Sequence, residues 1–441
     1  MASNKGVLDQ DSIQIFCSPK EYQTQLFSLI KQAKHRIYLT ALYLQDDDAG
    51  RSILSALYQA KQLNPKLDIK VFVDAHRAQR GLIGEKNQLG NRACYLEFAK
   101  DIAETIDIYG VPVKRKELFG VLHLKGMVFD DVLLYSGASI NNVYLHWQGN
   151  YRLDRYYQIN SRQLSDCFCQ YLDEVFVQSK LAYLLNTPSL PSKGQQKRLT
   201  QRLKSRLKKT HYRIQTPARL CSGANVISVE PLVGCGRRGN RLNAGIRQLL
   251  KGAEHSLLIF TPYFNLPKVL TRDVIRALKR GVKVTLVVGD KKANDFFIGE
   301  DKEFSTIGII PYVYEILLVR FIKRWQSFVD SGQLKVHLWQ DGSNSFHLKG
   351  LIADERYHLL TGSNLNPRAW GLDLENGLLI DDAGKTLMPK VRPELDEIMR
   401  HCTEILSASQ LDTIQDYPEK PKRLLKRLHM SQIDRLLKRF L

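Results

Sequence analysis

The tetrapeptide His-Leu-Lys-Gly occurs at residues 123–126 and again at 347–350, and the surrounding chain repeats with it. Ala33–Tyr43 resembles Ala253–Tyr263, and the apolar run Leu67–Asp74 resembles Val282–Gly289. The tetrapeptides follow in the same order, and the three echoes stand 220, 215 and 224 residues apart. Such order describes a duplicated unit with small insertions. Each copy reads as a helix end and buried strand, then a helical stretch (Ser52–Gln62; Asp273–Arg280), then a second β-rich run. Strand, helix and strand in succession predict an α/β fold with parallel pairing. The expected architecture is two domains related by a pseudo-two-fold duplication, each a mostly parallel mixed β-sheet flanked by helices. Residues 188–213 carry Pro, Ser, Gly, Gln and dense Lys/Arg with no acidic residue, the composition of an exposed basic connector. This places domains at 1–187 and 214–441.

Composition narrows the partners. The 441 residues are 44% hydrophobic and 25% charged, which excludes global disorder, and 65 Lys+Arg against 45 Asp+Glu leave a net charge of +20. That excess favours an anionic partner: nucleic acid, an acidic membrane surface or a phosphorylated substrate. Seven cysteines, an odd number with no C-x-x-C pair, suggest neither a disulfide framework nor a zinc ribbon. No secretory-length apolar segment follows Met1, so a cytoplasmic location is expected. The most apolar stretch, Ile307–Ile322, is broken by Pro311, Glu315 and Arg320, which argues against a spanning helix.

The chemistry lies in His-x-Lys-x4-Asp, present as His123, Lys125, Asp130 and as His347, Lys349, Asp354. Ordinary residue usage gives about 0.04 chance matches in a chain this long. A lone His beside a Lys is an ordinary surface pairing; two copies inside a repeat are not. In a strand, positions i and i+2 share a face, so each imidazole lies beside its own ammonium. Phosphoryl chemistry needs a nucleophile and an acid. One neutral imidazole can attack phosphorus while the other, protonated, serves the leaving oxygen, and histidine's ordinary pKa near ~6.5 allows both. The lysines would neutralise charge on the phosphate oxygens, and no metal is expected. Asp130 and Asp354 suit fixing strand–turn geometry better than proton exchange. Each histidine also needs an orienting acceptor. Glu375 follows His347 by 28 residues, and Asp154 is its counterpart in the first half.

The paired motifs resemble the signature of the phospholipase D superfamily. Longer stretches resemble its Gram-negative bacterial phosphatidylserine synthase branch: Ala41–Leu44, Val73–Gly81, His123–Tyr144, Thr261–Pro267, Gly289–Phe297 and Asn364–Trp370. The resemblance implies two halves sharing one active site at their interface and no cofactor. It implies transfer of a phosphatidyl group from CDP-diacylglycerol to L-serine through a phosphatidyl-histidine, with His123 favoured as nucleophile. Another phosphatidyltransferase such as a cardiolipin synthase, a phospholipase D and a nucleic-acid phosphodiesterase stay open as alternatives. The superfamily's Gly-Ser-x-Asn is out of register here. Six residues after the aspartates the chain reads Gly137-Ala138-Ser139-Ile140 and Thr361-Gly362-Ser363-Asn364. Ser139, Asn141, Ser363 and Asn364 are the candidates for phosphate contacts.

A lipid substrate calls for docking on the inner face of the cell membrane. Three basic amphipathic segments are candidates for an anionic surface: 193–209, 314–329 and 422–441. Each reads equally as a surface helix packed by its apolar stripe. Arg77, Arg80, Lys291 and Lys292 follow the central strands, where α/β folds place ligands, and are candidates for the cytidine diphosphate. Asp46-Asp47-Asp48 reads as a loop cap or as a holder of a cation or the serine amine.

Overall fold

The computed structural model describes residues 4–80, 89–100, 102, 104–114, 119–215, 227–299 and 302–430. The duplication appears as two sheets of matching strand order. The first runs Tyr183–Leu184, Asp107–Val111, Asp68–Asp74, Arg36–Thr40, Met127–Phe129, Val132–Ser136, Tyr156–Asn160 and Ile13–Phe16. The second runs Cys402–Glu404, Leu334–Trp339, Lys283–Gly289, Ser256–Thr261, Gly350–Ala353, Tyr357–Thr361, Leu374–Asp382 and Ile227–Cys235, with Gly6–Leu8 added at the edge. The chain's first strand therefore belongs to the sheet of the second half, in antiparallel register Gly6↔Val229.

The α/β class and the duplication hold, but the sheets are less parallel than strand–helix–strand succession suggested. Among the described residues, parallel pairing within each half is confined to three central strands. There, helices Asp48–Leu63 and Lys268–Lys279 provide the crossovers. The other pairings within each half are antiparallel, among them the hairpins Met127–Phe129/Val132–Ser136 and Gly350–Ala353/Tyr357–Thr361, whose short loops permit no other arrangement.

One hairpin explains the motif shift seen in the sequence. In the first half Phe129 pairs with Val132, leaving Asp130 and Asp131 as the loop. In the second, Ala353 pairs with Tyr357 across three residues, and both Asp354 and Glu355 adopt positive φ. The extra residue makes Ser136-Gly137-Ala138-Ser139 the equivalent of Thr361-Gly362-Ser363-Asn364. Ser136 Oγ accepts from the amide of Ala138, and Thr361 Oγ1 accepts from that of Ser363, each at 3.1 Å.

The halves are not separate bodies. One buried cluster joins Leu122, Leu124 and Tyr135 to Val229, Leu374 and Ile380. Two short parallel ladders also cross between halves. Leu122–His123 pairs with Leu374–Glu375, and Ser345–Phe346 pairs with Arg152–Leu153. The basic connector residues form a helix, Lys193–Leu207, capped reciprocally by Ser192 and Gln195. Its Leu203 and Leu207 are buried in the shared core.

Candidate active site

The cross-half ladders build the site. In a parallel ladder, residues in register project from the same face, so the partner of each histidine lies beside it. His123 is in register with Glu375, and its Nδ1 lies 2.9 Å from both carboxylate oxygens. The ladder Phe346↔Leu153 leads, one residue on, to His347 and Asp154, with Nδ1 3.1 Å from Oδ2. Each half thus supplies the histidine that the other half's carboxylate orients. All four side chains are buried, as are Lys125 and Lys349, each 1% exposed.

Close approach across the interface requires glycine at the two equivalent strand ends. A Cβ on Gly137 would lie 2.6 Å from Lys349 Cε and 2.7 Å from both Asp154 carboxylate oxygens. One on Gly362 would lie 2.7 Å from Lys125 Cγ. Such distances lie inside van der Waals contact, so any side chain there would push the opposing half's lysine out of place.

The two halves differ in electrostatics. Lys349 donates to Asp154 Oδ2 at 2.7 Å and also contacts His347 Nδ1. Burial would raise Asp154, but Lys349 and His347 outweigh it and hold the carboxyl down at about 2. Burial and then Lys349 lower the His347 imidazolium to about 3. On the other side, Lys125 donates to Ala138 O at 3.2 Å and Ser139 Oγ at 3.3 Å rather than to the carboxylate. Burial pushes Glu375 up to about 8, ahead of the opposing pull of Lys125. Burial, then Lys125 and Lys349, holds His123 well below its ordinary value. Burial and the facing Lys349 bring Lys125 down to about 7. Both imidazoles are thus pushed toward the neutral form by burial and the nearby lysines, surroundings that favour an anion.

Comparison with known proteins follows this geometry. The family model described as "Cardiolipin synthase, PLD-like domain" matches residues 26–175 and again 246–399. CDP-diacylglycerol–serine O-phosphatidyltransferase of Escherichia coli (strain K12) is 43% identical over 98% of this chain and 95% of its own. That of Haemophilus influenzae is 42% identical over 98% of this chain and 96% of its own. The crystal structure of phosphatidylserine synthase from Haemophilus influenzae superposes with a TM-score of 0.95 at 41% identity, covering 99% of this chain and 97% of that one. The chain belongs to the phospholipase D-like CDP-diacylglycerol–serine O-phosphatidyltransferase family.

In this family member the remaining candidates separate into those at the centre and those away from it. Asp130 and Asp354 lie outside the centre and act on backbone. Asp130 accepts from the amides of Lys34, His35 and Arg36 at 2.8–3.0 Å. Asp354 does the same for Glu254, His255 and Ser256, again at 2.8–3.0 Å. Ser139 reaches the centre through Lys125. Asn141 turns to Gln45 and Tyr43, and its Oδ1 accepts from the Tyr144 amide. Ser363 is buried, and its amide donates to Thr361 within the turn. Asn364 Oδ1 is buried without a hydrogen-bond partner among the described residues, and its carbonyl accepts from Thr261.

The nucleotide candidates are also divided. The Arg77 guanidinium lies 4.8 Å over the ring of Tyr43, and Arg80 is half-buried beside it in sequence. Lys291 is held by Glu315 at 2.9 Å and by Asp412, so its charge is already met within the second half; Lys292 is exposed. Asp47 caps the helix Asp48–Leu63 and Asp46 pairs with Arg51 at 2.6 Å, the loop-cap arrangement. Among the described residues no three His, Cys, Asp or Glu converge as metal ligands.

Several residues of the site carry no repeat signal. Asn376, fully buried, takes the Lys125 amide on Oδ1 and donates to the Lys125 carbonyl through Nδ2, each at 2.8 Å. Its place directly after Glu375 was the available clue. Tyr144 Oη lies 3.0 Å from His347 Nδ1. Arg152, Tyr263 and Asp295 gather around the same histidine.

Proposed function

We propose that the chain transfers the phosphatidyl group of CDP-diacylglycerol to L-serine and releases CMP. The observation that carries this reading is the pair of histidines, each oriented by a carboxylate of the opposite half. It occurs in a chain 43% identical, nearly end to end, to an enzyme named for that reaction.

The asymmetry of the carboxylates supports an assignment of roles. An acid–base histidine alternates between imidazole and imidazolium and is served by a partner that stays ionised; Asp154, at about 2, is such a partner. A nucleophile must be neutral, and burial with three nearby cations holds His123 in that form. His123 Nε2 attacks the phosphorus bearing diacylglycerol, and the P–O bond to CMP breaks as His347 gives its proton to the leaving phosphate. The diphosphate's own charge supplies the counter-ion that lets His347 be protonated on binding. Serine's hydroxyl then attacks the phosphatidyl-histidine, its proton passes to His347, and the P–N bond breaks with its electron pair returning to His123. Lys125 and Lys349 balance charge on the non-bridging oxygens. Two displacements give retention at phosphorus and ping-pong kinetics.

Among the described residues no helix is long and apolar enough to cross a membrane. A lipid substrate then requires a docking face, and the helix Lys193–Leu207 supports one. Its apolar stripe is buried in the protein, and Lys193, Lys197, Arg198, Arg202, Lys204 and Arg206 are exposed. Each cation near an anionic surface contributes about 1 kcal/mol. Segment 314–329 is less suited. Leu318, Phe321 and Ile322 lie in the second half's core, leaving mainly Arg320, Lys323 and Arg324 outward. In the segment 422–441, Leu425 packs against Tyr417 and Ile309; residues 431–441, with Arg435, Leu436 and Phe440, lie outside the described residues.

The test is purified protein with CDP-diacylglycerol in mixed micelles and labelled L-serine, following CMP and lipid-borne label. Equal amounts of both, with turnover lost in His123→Ala and in His347→Ala, support the reading. CMP with phosphatidic acid but no labelled lipid removes serine as acceptor. No CMP removes the lipid substrate.

A further inference from the structure

Around His347 the halves leave an open charge pair. Arg152, beside the orienting Asp154, points a guanidinium nitrogen at Asp295 of the other half, 3.6 Å from Oδ2. That is ion-pair distance but beyond a hydrogen bond, so neither group saturates the other. Both side chains keep some exposure, 15% and 17%. Among the described residues the Arg152 side chain makes one hydrogen bond, from Nε to Ser345 Oγ at 3.2 Å. Its remaining N–H donors stay available. Asp295 accepts from the hydroxyl of Tyr263. Burial alone would raise its pKa, but Arg152 and then His347 overcome that, and the carboxyl is ionised.

Aromatic rings wall this pair. Tyr144 lies under the Arg152 guanidinium at 4.9 Å and reaches His347 through its hydroxyl. Tyr263 packs edge-on to His347 at 6.2 Å and stacks on Tyr314 at 5.2 Å. An ionised, part-exposed carboxylate suits an ammonium, and a guanidinium with unused donors suits a carboxylate. On the His123 side, among the described residues, the charge two residues before the orienting carboxylate is met within its own half. Arg368 and Asp373 pair at 3.2 Å, and Asp373, 4% exposed, accepts from the backbone amide of Val121.

We propose that Arg152 and Asp295 form a clamp for an α-amino-acid zwitterion, Arg152 taking the α-carboxylate and Asp295 the α-ammonium, which turns the side-chain hydroxyl toward His347. The clamp deepens the phosphatidyl-transfer reading above and rests on it. It accounts for selectivity over water, which offers neither charge, and places the acceptor beside the histidine that takes its proton.

The test compares three acceptors with CDP-diacylglycerol in mixed micelles: L-serine, ethanolamine, which lacks the carboxylate, and 3-hydroxypropanoate, which lacks the ammonium. Wild type prefers serine to both. In Arg152→Met the serine KM rises and the preference over ethanolamine falls by about tenfold or more, because a buried donor set has lost its role. In Asp295→Asn the preference over 3-hydroxypropanoate falls by about tenfold or more while that over ethanolamine changes little. A preference is a ratio within one preparation, so it does not depend on how much protein is folded. Arg152→Lys and Asp295→Glu, which keep each charge but displace it, shift the same ratios in the same direction by less, and serve if the first variants do not fold. Wild-type transfer to serine with preferences unchanged in the variants overturns the clamp alone. Absence of CMP release by wild type overturns the underlying reaction instead.

Discussion

The two halves carry the same motif on the same ladder, yet the His347 half and the His123 half handle protons differently. At His347 the lysine binds the orienting carboxylate directly, and Asp154 is fixed as an anion. At His123 the lysine turns to Ala138 and Ser139, its backbone is gripped by Asn376, and Glu375 is raised to about 8. Duplication supplies two equal sets of groups; small differences in where each lysine points divide their labour. On the proposed mechanism that difference suits His123 to attack and His347 to carry the proton.

The largest way to break this comparison is at the carboxylates. Asp154→Asn strips the counter-ion from both His347 and buried Lys349, and should reduce kcat by about 10³-fold. Glu375→Gln should cost less, about 10²-fold, because its ring can still be oriented by an amide oxygen. Equal losses would mean that the halves are equivalent. Steady-state kinetics of both variants, with circular dichroism to verify folding, check this.

Asn376→Ala should lower thermal stability by about 2–3 kcal/mol, since it leaves the amide and carbonyl of Lys125 buried and unpaired. Activity should fall with it, as Lys125 loses its position; thermal unfolding and kcat measured on the same preparation test both. The pH profile sharpens the contrast further. Lys125 at about 7 is charged below that value and neutral above it, so kcat/KM for CDP-diacylglycerol should fall on a limb near neutrality. An ordinary lysine would place that limb near ~10.

The smallest expected effect on chemistry is at the hairpin aspartates. Asp354→Asn keeps one acceptor for three amides and should cost about 1–2 kcal/mol of stability with kcat nearly unchanged. The Asp354 carboxyl is held below its usual range by those amides, against burial. Its stabilisation is therefore present above the ordinary carboxylate pKa and lost as pH falls through the lowered one. Chemical denaturation at pH 7 and pH 3 would show it.

What the sequence disclosed follows from what repetition can encode. The strand–helix–strand succession, the paired His-x-Lys and the partners Asp154 and Glu375 recur at similar offsets, so two copies made each legible. The parallel character was overestimated because a buried hairpin strand and a buried crossover strand have the same apolar composition. Lys291 resembled a nucleotide ligand because its partner Asp412 lies 121 residues away. The motif shift came from one added residue in a hairpin loop, which only the ladder register reveals. Arg152, Tyr144 and Asp295 were silent because they belong to the differences between the halves, and a repeat gives no signal where its copies diverge.

The central claim, one site shared by two halves with His123 attacking and His347 moving protons, is tested most directly by trapping the intermediate. His347→Ala protein incubated with CDP-diacylglycerol, quenched and digested, should carry the phosphatidyl mass on the peptide containing His123, and L-serine should fail to discharge it. A phosphatidyl adduct on His347 in His123→Ala protein, with none on His123 in the other variant, would contradict the assignment.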